Sequence, residues 1–223
     1  MCFNAEASFL GAAVAGGVGV AALTQVRQRR ELLWAALPLA FAAHQLLEGL
    51  TWLAVDGRPR ANLDGLSVRL WVLYAWALLP LWVPLGARAL EPDERRRRWM
   101  LPFVVLGAAD LAYMGFLALQ PTVQVVVTDG DLDYLLPVDH GAFMLTPYVV
   151  TTCVTPLLSS YRWVRAFAAA NLVALSASTV LEAKDFTSVW CLFAAVLSFL
   201  VLVHLRAQRR LELGAPAGAA APA

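Results

Sequence analysis

The sequence predicts an all-α protein: a bundle of seven transmembrane helices, N-terminus outside and C-terminus cytoplasmic, with one longer outer loop folded as a β-hairpin. Three observations predict it. Of 223 residues, 60% are hydrophobic and only 15% charged, too apolar a composition for a soluble domain of this size. Seven apolar stretches reach or approach the ~18 residues that cross a hydrocarbon core of roughly 30 Å as a helix. The basic residues, finally, are segregated by side, which sets the orientation.

The spans, in order, are Ser8 to Gln25, Leu32 to Val55, Val68 to Gly86, Trp99 to Leu119, Ala142 to Leu158, Trp163 to Leu181 and Phe186 to Leu205. The fifth carries Pro147 and Pro156 with several threonines. Proline lacks an amide donor, and inside a bilayer the carbonyl it frees must find another partner, so this span is expected to kink and to pack against protein. Of the 17 basic residues, Arg27, Arg29, Arg30, Arg88, Arg95 to Arg98, Arg162, Arg165, Arg206, Arg209 and Arg210 fall on one side. Arg58, Arg60, Arg69 and Lys184 fall on the other. The formal net charge of +1 hides this segregation. Beside a span, the run Arg95 to Arg98 reads as a topological determinant that meets anionic lipid, so no nucleic-acid partner is expected.

The first span begins close to Met1 without a basic leader or a small-residue cleavage site, and is read as retained. Residues 1–210 form the membrane domain and residues 211–223 a disordered cytoplasmic tail, Gly214 to Ala223 being only Ala, Pro and Gly. No internal repeat is evident. The long outer loop, Gln120 to Gly141, sets a valine-rich run before Thr128-Asp129-Gly130-Asp131 and a second apolar stretch after it, the pattern of a hairpin over the outer mouth. Asp129, Asp131 and Asp133 have the opening spacing of a calcium loop, but Tyr134 stands where the glycine belongs and no distal Glu follows.

Ionisable residues inside spans mark candidate sites. In the second span Phe41, His44, Gln45, Glu48 and Trp52 recur every three or four residues and share one helical face, which must look inward. At about 1.5 Å per residue, Glu48 lies roughly 10 Å below the outer end and His44 near mid-bilayer. Asp110, with Tyr113 one turn above it in the fourth span, lies at similar depth and is a candidate partner for His44 or Gln45. A buried polar cluster that merely ties helices together is the competing reading. His44, His140 and His204 are too far apart in depth to share one metal, and the single lysine, Lys184, precedes span seven, which excludes a retinal Schiff base despite the topology. Cys153 reads as a packing residue, while Cys2 and Cys191 both belong to the outer half, within reach of a redox pair.

The start, Met1-Cys2-Phe3-Asn4-Ala5-Glu6-Ala7-Ser8-Phe9, resembles that of an uncharacterised bacterial family of multi-span membrane proteins whose N-terminus reads Met-Cys-Phe-Ser-Ala-x-Ala-Ser-Phe. His44-Gln45-Leu46-Leu47-Glu48-Gly49-Leu50-Thr51-Trp52 is similar to that family's Gln-x-x-Glu-Gly-x-x-Trp pattern, and Thr187 to Ala195 to its start of span seven. Asn4 replaces the usual Ser, but both cap helices. The resemblance implies a bacterial cytoplasmic membrane protein and supplies no activity.

What it singles out, Cys2, Glu6, Glu48, Trp52, His140, Trp190 and Cys191, agrees with the depth argument for an outer-facing site. The expected function is therefore an integral membrane protein with an outward-facing polar pocket for a small ligand or metal ion. Gln45, Glu48, Trp52, Asp110, Tyr113 and Trp190 would contact the ligand, and Cys2, Glu6 and His140 would hold a metal ion as cofactor; for Glu6 the competing role is the first turn of a capped helix. The alternatives are an intramembrane enzyme using Glu48 as base with Cys2 or His140, and a structural subunit of a membrane complex.

Overall fold

The computed structural model describes residues 4–56, 65–128, 131–136, 141–181, 193 and 195–214. Helix α1 (Ala5–Leu23) starts at Asn4, whose Oδ1 accepts the Ala7 amide at 2.8 Å, and Glu6 stands in its first turn, where the dipole favours a negative charge. Beyond α1 the Glu31 carboxylate accepts the Arg27 and Gln28 amides at 2.7 and 3.1 Å and fixes the basic turn. A short helix (Leu32–Ala35) then leads into α2 (Leu37–Val55). Helices α3 (Leu66–Leu90) and α4 (Glu94–Ala118) follow, the latter capped by Asp93, which accepts the Arg96 amide.

An antiparallel hairpin comes next, β1 (Gln124–Thr128) and β2 (Asp131–Leu135), with a register from Gln124 opposite Leu135 to Thr128 opposite Asp131. Helix α5 runs from Gly141–Val149 through a π-helical stretch (Val150–Val154) to Thr155–Leu157, and α6 (Arg162–Leu181) and α7 (Phe199–Gly214) complete the bundle.

The protein is thus mostly helical with one two-stranded sheet. Among the described residues three helices, α1, α3 and α4, are long and apolar enough to cross a membrane by length and composition. Helix α2 is as long as α1, but His44, Gln45 and Glu48 lower its hydropathy. Span seven is described only in its second half. Helix α7 also continues through Leu211, Glu212 and Leu213 to Gly214, so the helix outruns the Arg210 boundary read from composition; Leu and Glu are good helix formers and Gly is not.

Prolines shape two helices in the same way. The π turns of α3 (Leu73–Leu78) end just before Pro80, and those of α5 just before Pro156. A proline cannot donate to the carbonyl one turn back and its ring crowds that carbonyl, so the turn widens. In α5 the threonine hydroxyls take up carbonyls of this wide stretch: Thr151 Oγ1 donates to Pro147 O at 2.8 Å and Thr152 Oγ1 to Tyr148 O at 2.7 Å. This is the internal satisfaction expected of a proline-bearing span.

Helix α3 is central, with 61% of its most apolar window buried against 22% for α1 and 28% for α4. Small residues let α1 approach α2: a Cβ on Gly19 would lie 2.5 Å from Leu39, and one on Gly49 2.6 Å from the Phe9 ring. The main core joins α2, α3, α6 and α7 around Trp34, Phe41, Tyr74, Val83, Phe167 and Leu202. At the arginine-bearing end, Arg209 donates to Gln25 Oε1 at 2.9 Å and Arg96 to Leu158 O at 2.8 Å. Buried Glu91 accepts the Ser160 amide at 2.7 Å and its hydroxyl at 2.5 Å. The turns at this end therefore lock to one another.

Candidate functional site

The face of α2 that periodicity picks out is the buried one. His44, Gln45, Glu48 and Thr51 are fully buried and Trp52 nearly so. Positions 44, 45, 48, 51 and 52 follow the i, i+1, i+4, i+7, i+8 pattern that places side chains along one stripe. Leu46, in contrast, is exposed on the opposite side. Thr51 Oγ1 donates to Leu47 O at 2.9 Å and so accepts from Ser67 Oγ at 3.0 Å, which pins the outer end of α2 to the start of α3.

His44 is held by rings. Its centroid lies 4.7 Å from those of both Trp71 and Tyr74 on α3, tilted by 33° and 34°. The column continues both ways: Tyr134 of β2 stacks on Trp71 at 3.7 Å and 4°, and Tyr74 meets Phe41 edge-on at 6.1 Å. Five rings thus run from the hairpin into the bundle. Neither ring nitrogen of His44 has a hydrogen-bond partner among the described residues.

The hairpin is the lid of this column. Leu132 is buried with Ala5 and Trp52, with Phe9, Leu53, Val125 and Tyr134 packed around them, so β1 and β2 lie across the start of α1 and the end of α2. Val123, Val125, Tyr134 and Leu136 also pack on Val68, Trp71 and Ala118, which extends the cover to α3 and α4. Alternation explains it: Leu132 and Tyr134 point to the same face of β2. The hairpin read from the loop is therefore an ordered part of the core.

The remaining candidates are placed differently. Asp110 is buried, but on the α4 face that packs against α3, where Gly107 abuts Pro80. Tyr113 is 47% exposed. Depth along a helix does not decide which way a side chain faces. Glu6 is exposed beside the Asn4 cap. Cys2, His140, Trp190, Cys191 and Lys184 lie outside the described residues. Among the described residues no group of three His, Cys, Asp or Glu side chains is disposed to hold a metal ion.

Sequence reasoning missed Trp71, Tyr74 and Tyr134, the rings that hold His44. Their spacing on α3 was a signal, since positions 71 and 74 share a face, but their partners came from two other elements.

A family model described as a family of unknown function (DUF6629) matches residues 1–216. No curated protein and no solved structure matches the chain.

Proposed function

The chain belongs to this family of unknown function, and on that footing we propose that it is a seven-span protein of a bacterial cytoplasmic membrane that binds a small polar ligand at Gln45 and Glu48. The hairpin closes this site from outside. The observation that carries the reading is the burial of an imidazole, an amide and a carboxyl side chain on successive turns of one helix. An ionisable residue at that depth costs about 2.5 kcal/mol or more if it meets lipid, and such residues mark functional positions by default. Glu48 offers only acceptors when ionised and Gln45 both acceptors and donors. A ligand bearing an amine, amide or hydroxyl suits them. Trp52 and the Tyr134–Trp71–His44 column would form the walls.

Glu48→Gln keeps the shape and removes the charge. Mass spectrometry of small molecules released from the detergent-purified protein is expected to find a species that falls at least tenfold in this variant. Equal release from both proteins, or none from either, would overturn the site.

The membrane reading is supported by apolar residues left on the outside of the helices. Leu10, Val14 and Val20 of α1, Val105 and Phe116 of α4 and Val173 of α6 are all more than half exposed, a surface suited to acyl chains. The arginine asymmetry then sets the orientation. A cytoplasm-only reporter fused after Ala223 is expected to be active; a silent but expressed fusion would refute the assignment.

A further inference from the structure

A cleft of about 760 Å³ opens at the arginine-bearing end between the start of α6 and the last turns of α7. We propose that it binds the phosphate of an anionic phospholipid headgroup. The inference is independent of the Glu48 site and requires only that the chain lie in a bilayer.

Its chemistry is set by Arg162 from α6 and Arg206 and Arg210 from α7, with Tyr161, Trp163 and His204 completing the wall. Arg206 and Arg210 are four apart and so rise on one side of α7. Five other arginines of this end are already engaged. Arg97 and Arg98 pair with Glu94, Arg96 donates to Leu158 O, Arg165 to Ser159 O and Ser160 O, and Arg209 to Gln25. Among the described residues no carboxylate pairs with Arg162, Arg206 or Arg210. Arg162 instead lies over the Trp163 ring, 5.1 Å from its centroid.

Two further features point to an anion. The N-terminus of the 20-residue helix α6 opens at the cleft, bringing the positive end of the helix dipole. His204, only 2% exposed, lines the cleft, and its Nδ1 has no hydrogen-bond partner among the described residues. Its ring is fixed edge-on to Tyr161 at 4.8 Å. His204 thus adds a buried polar atom without a partner to the wall that carries Arg162, Arg206 and Arg210.

The source of the phosphate follows from what flanks the charges. Val203 and Leu211 line the same cleft, on the α7 stripe that also carries Arg206 and Arg210, so aliphatic side chains flank the charges. A soluble phosphate has no use for these aliphatic flanks, whereas a lipid puts its glycerol and acyl carbons there. Basic pockets at the cytoplasmic ends of spans hold lipid headgroups in this way.

The test is native mass spectrometry of the full chain in detergent with added phosphatidylglycerol or phosphatidylcholine. Wild type is expected to retain one phosphatidylglycerol, with roughly tenfold preference over phosphatidylcholine. Arg206→Gln with Arg210→Gln should abolish the preference. Arg95→Gln with Arg98→Gln, which removes equal charge outside the cleft, should keep it. Ala207→Trp, which fills the cleft without removing charge, is expected to displace the lipid and serves if the double variant does not fold. Equal retention of the two lipids, equal loss in both charge variants, or lipid retained in Ala207→Trp would overturn the proposal. Displacement of phosphatidylglycerol by millimolar inorganic phosphate would overturn the lipid source in favour of free phosphate.

Discussion

Gly107→Leu is expected to prevent the bundle from assembling. A Cβ at this position would lie 2.1 Å from the Pro80 carbonyl oxygen and 2.9 Å from the Leu81 Cα, so the obstacle is backbone and not the tip of a side chain. Nor can that backbone turn aside easily. Pro84 has no N–H, which leaves the Pro80 carbonyl without its helical donor one turn on and free to meet the Cα of Gly107. Forcing a side chain between α3 and α4 should cost about 3 kcal/mol, the upper end of overpacking penalties. Gly17 provides the control, because nothing lies within 4 Å of a Cβ built there. Gly17→Leu should elute and melt in detergent like wild type, while Gly107→Leu should aggregate or melt many degrees lower. Equal melting of the two variants would show that α3 and α4 do not meet at this point.

This close approach shows where the sequence was and was not readable. Glycine at 107 is plain in the sequence, but nothing local says that its neighbour is a proline-freed carbonyl 27 positions away. Local features were legible because their causes are local. Asn4 caps α1 through a bond three residues long, two apolar runs close in sequence pair as the hairpin, and spacing alone puts Gln45 and Glu48 on the buried stripe of α2. The proline effects were legible in kind, since a missing donor is a property of the residue, although the π turns that accommodate it were not foreseen. Which way Asp110 and Tyr113 face was not legible, for the opposite reason. Depth along a helix is countable from its ends, but facing depends on which helices adjoin, and α3 stands between α2 and α4. Apolar α1 and α4 conceal their facing further, because a lipid-exposed side and a packed side are built from the same residue types.

The aromatic column yields the other large effect, Trp71→Ala. Trp71 is fully buried, with Tyr134 stacked on it and His44 tilted against it, so truncation removes a large side chain and the ring stack that joins the hairpin to α3. Phe or Trp to Ala changes in packed sites cost about 3–5 kcal/mol. The same order is expected here, read as a lower thermal midpoint in detergent. Tyr134→Ala should cost less, because the hairpin keeps Leu132 against Ala5 and Trp52. A difference in kind should accompany the difference in size. Without Tyr134 the bundle stays folded and the segment around β1 and β2 becomes open to protease, whereas without Trp71 the bundle itself loosens and His44 loses its support. If the two rings act through the stack, the double variant should fall short of the sum of the single costs by about 0.5–1.5 kcal/mol, and Trp71→Phe should restore part of the coupling. Full additivity, with the hairpin as protease-resistant in Tyr134→Ala as in wild type, would mean that the lid is held by its aliphatic contacts, those of Leu132, Val123, Val125 and Leu136. The column would then pack the core without linking the lid to His44.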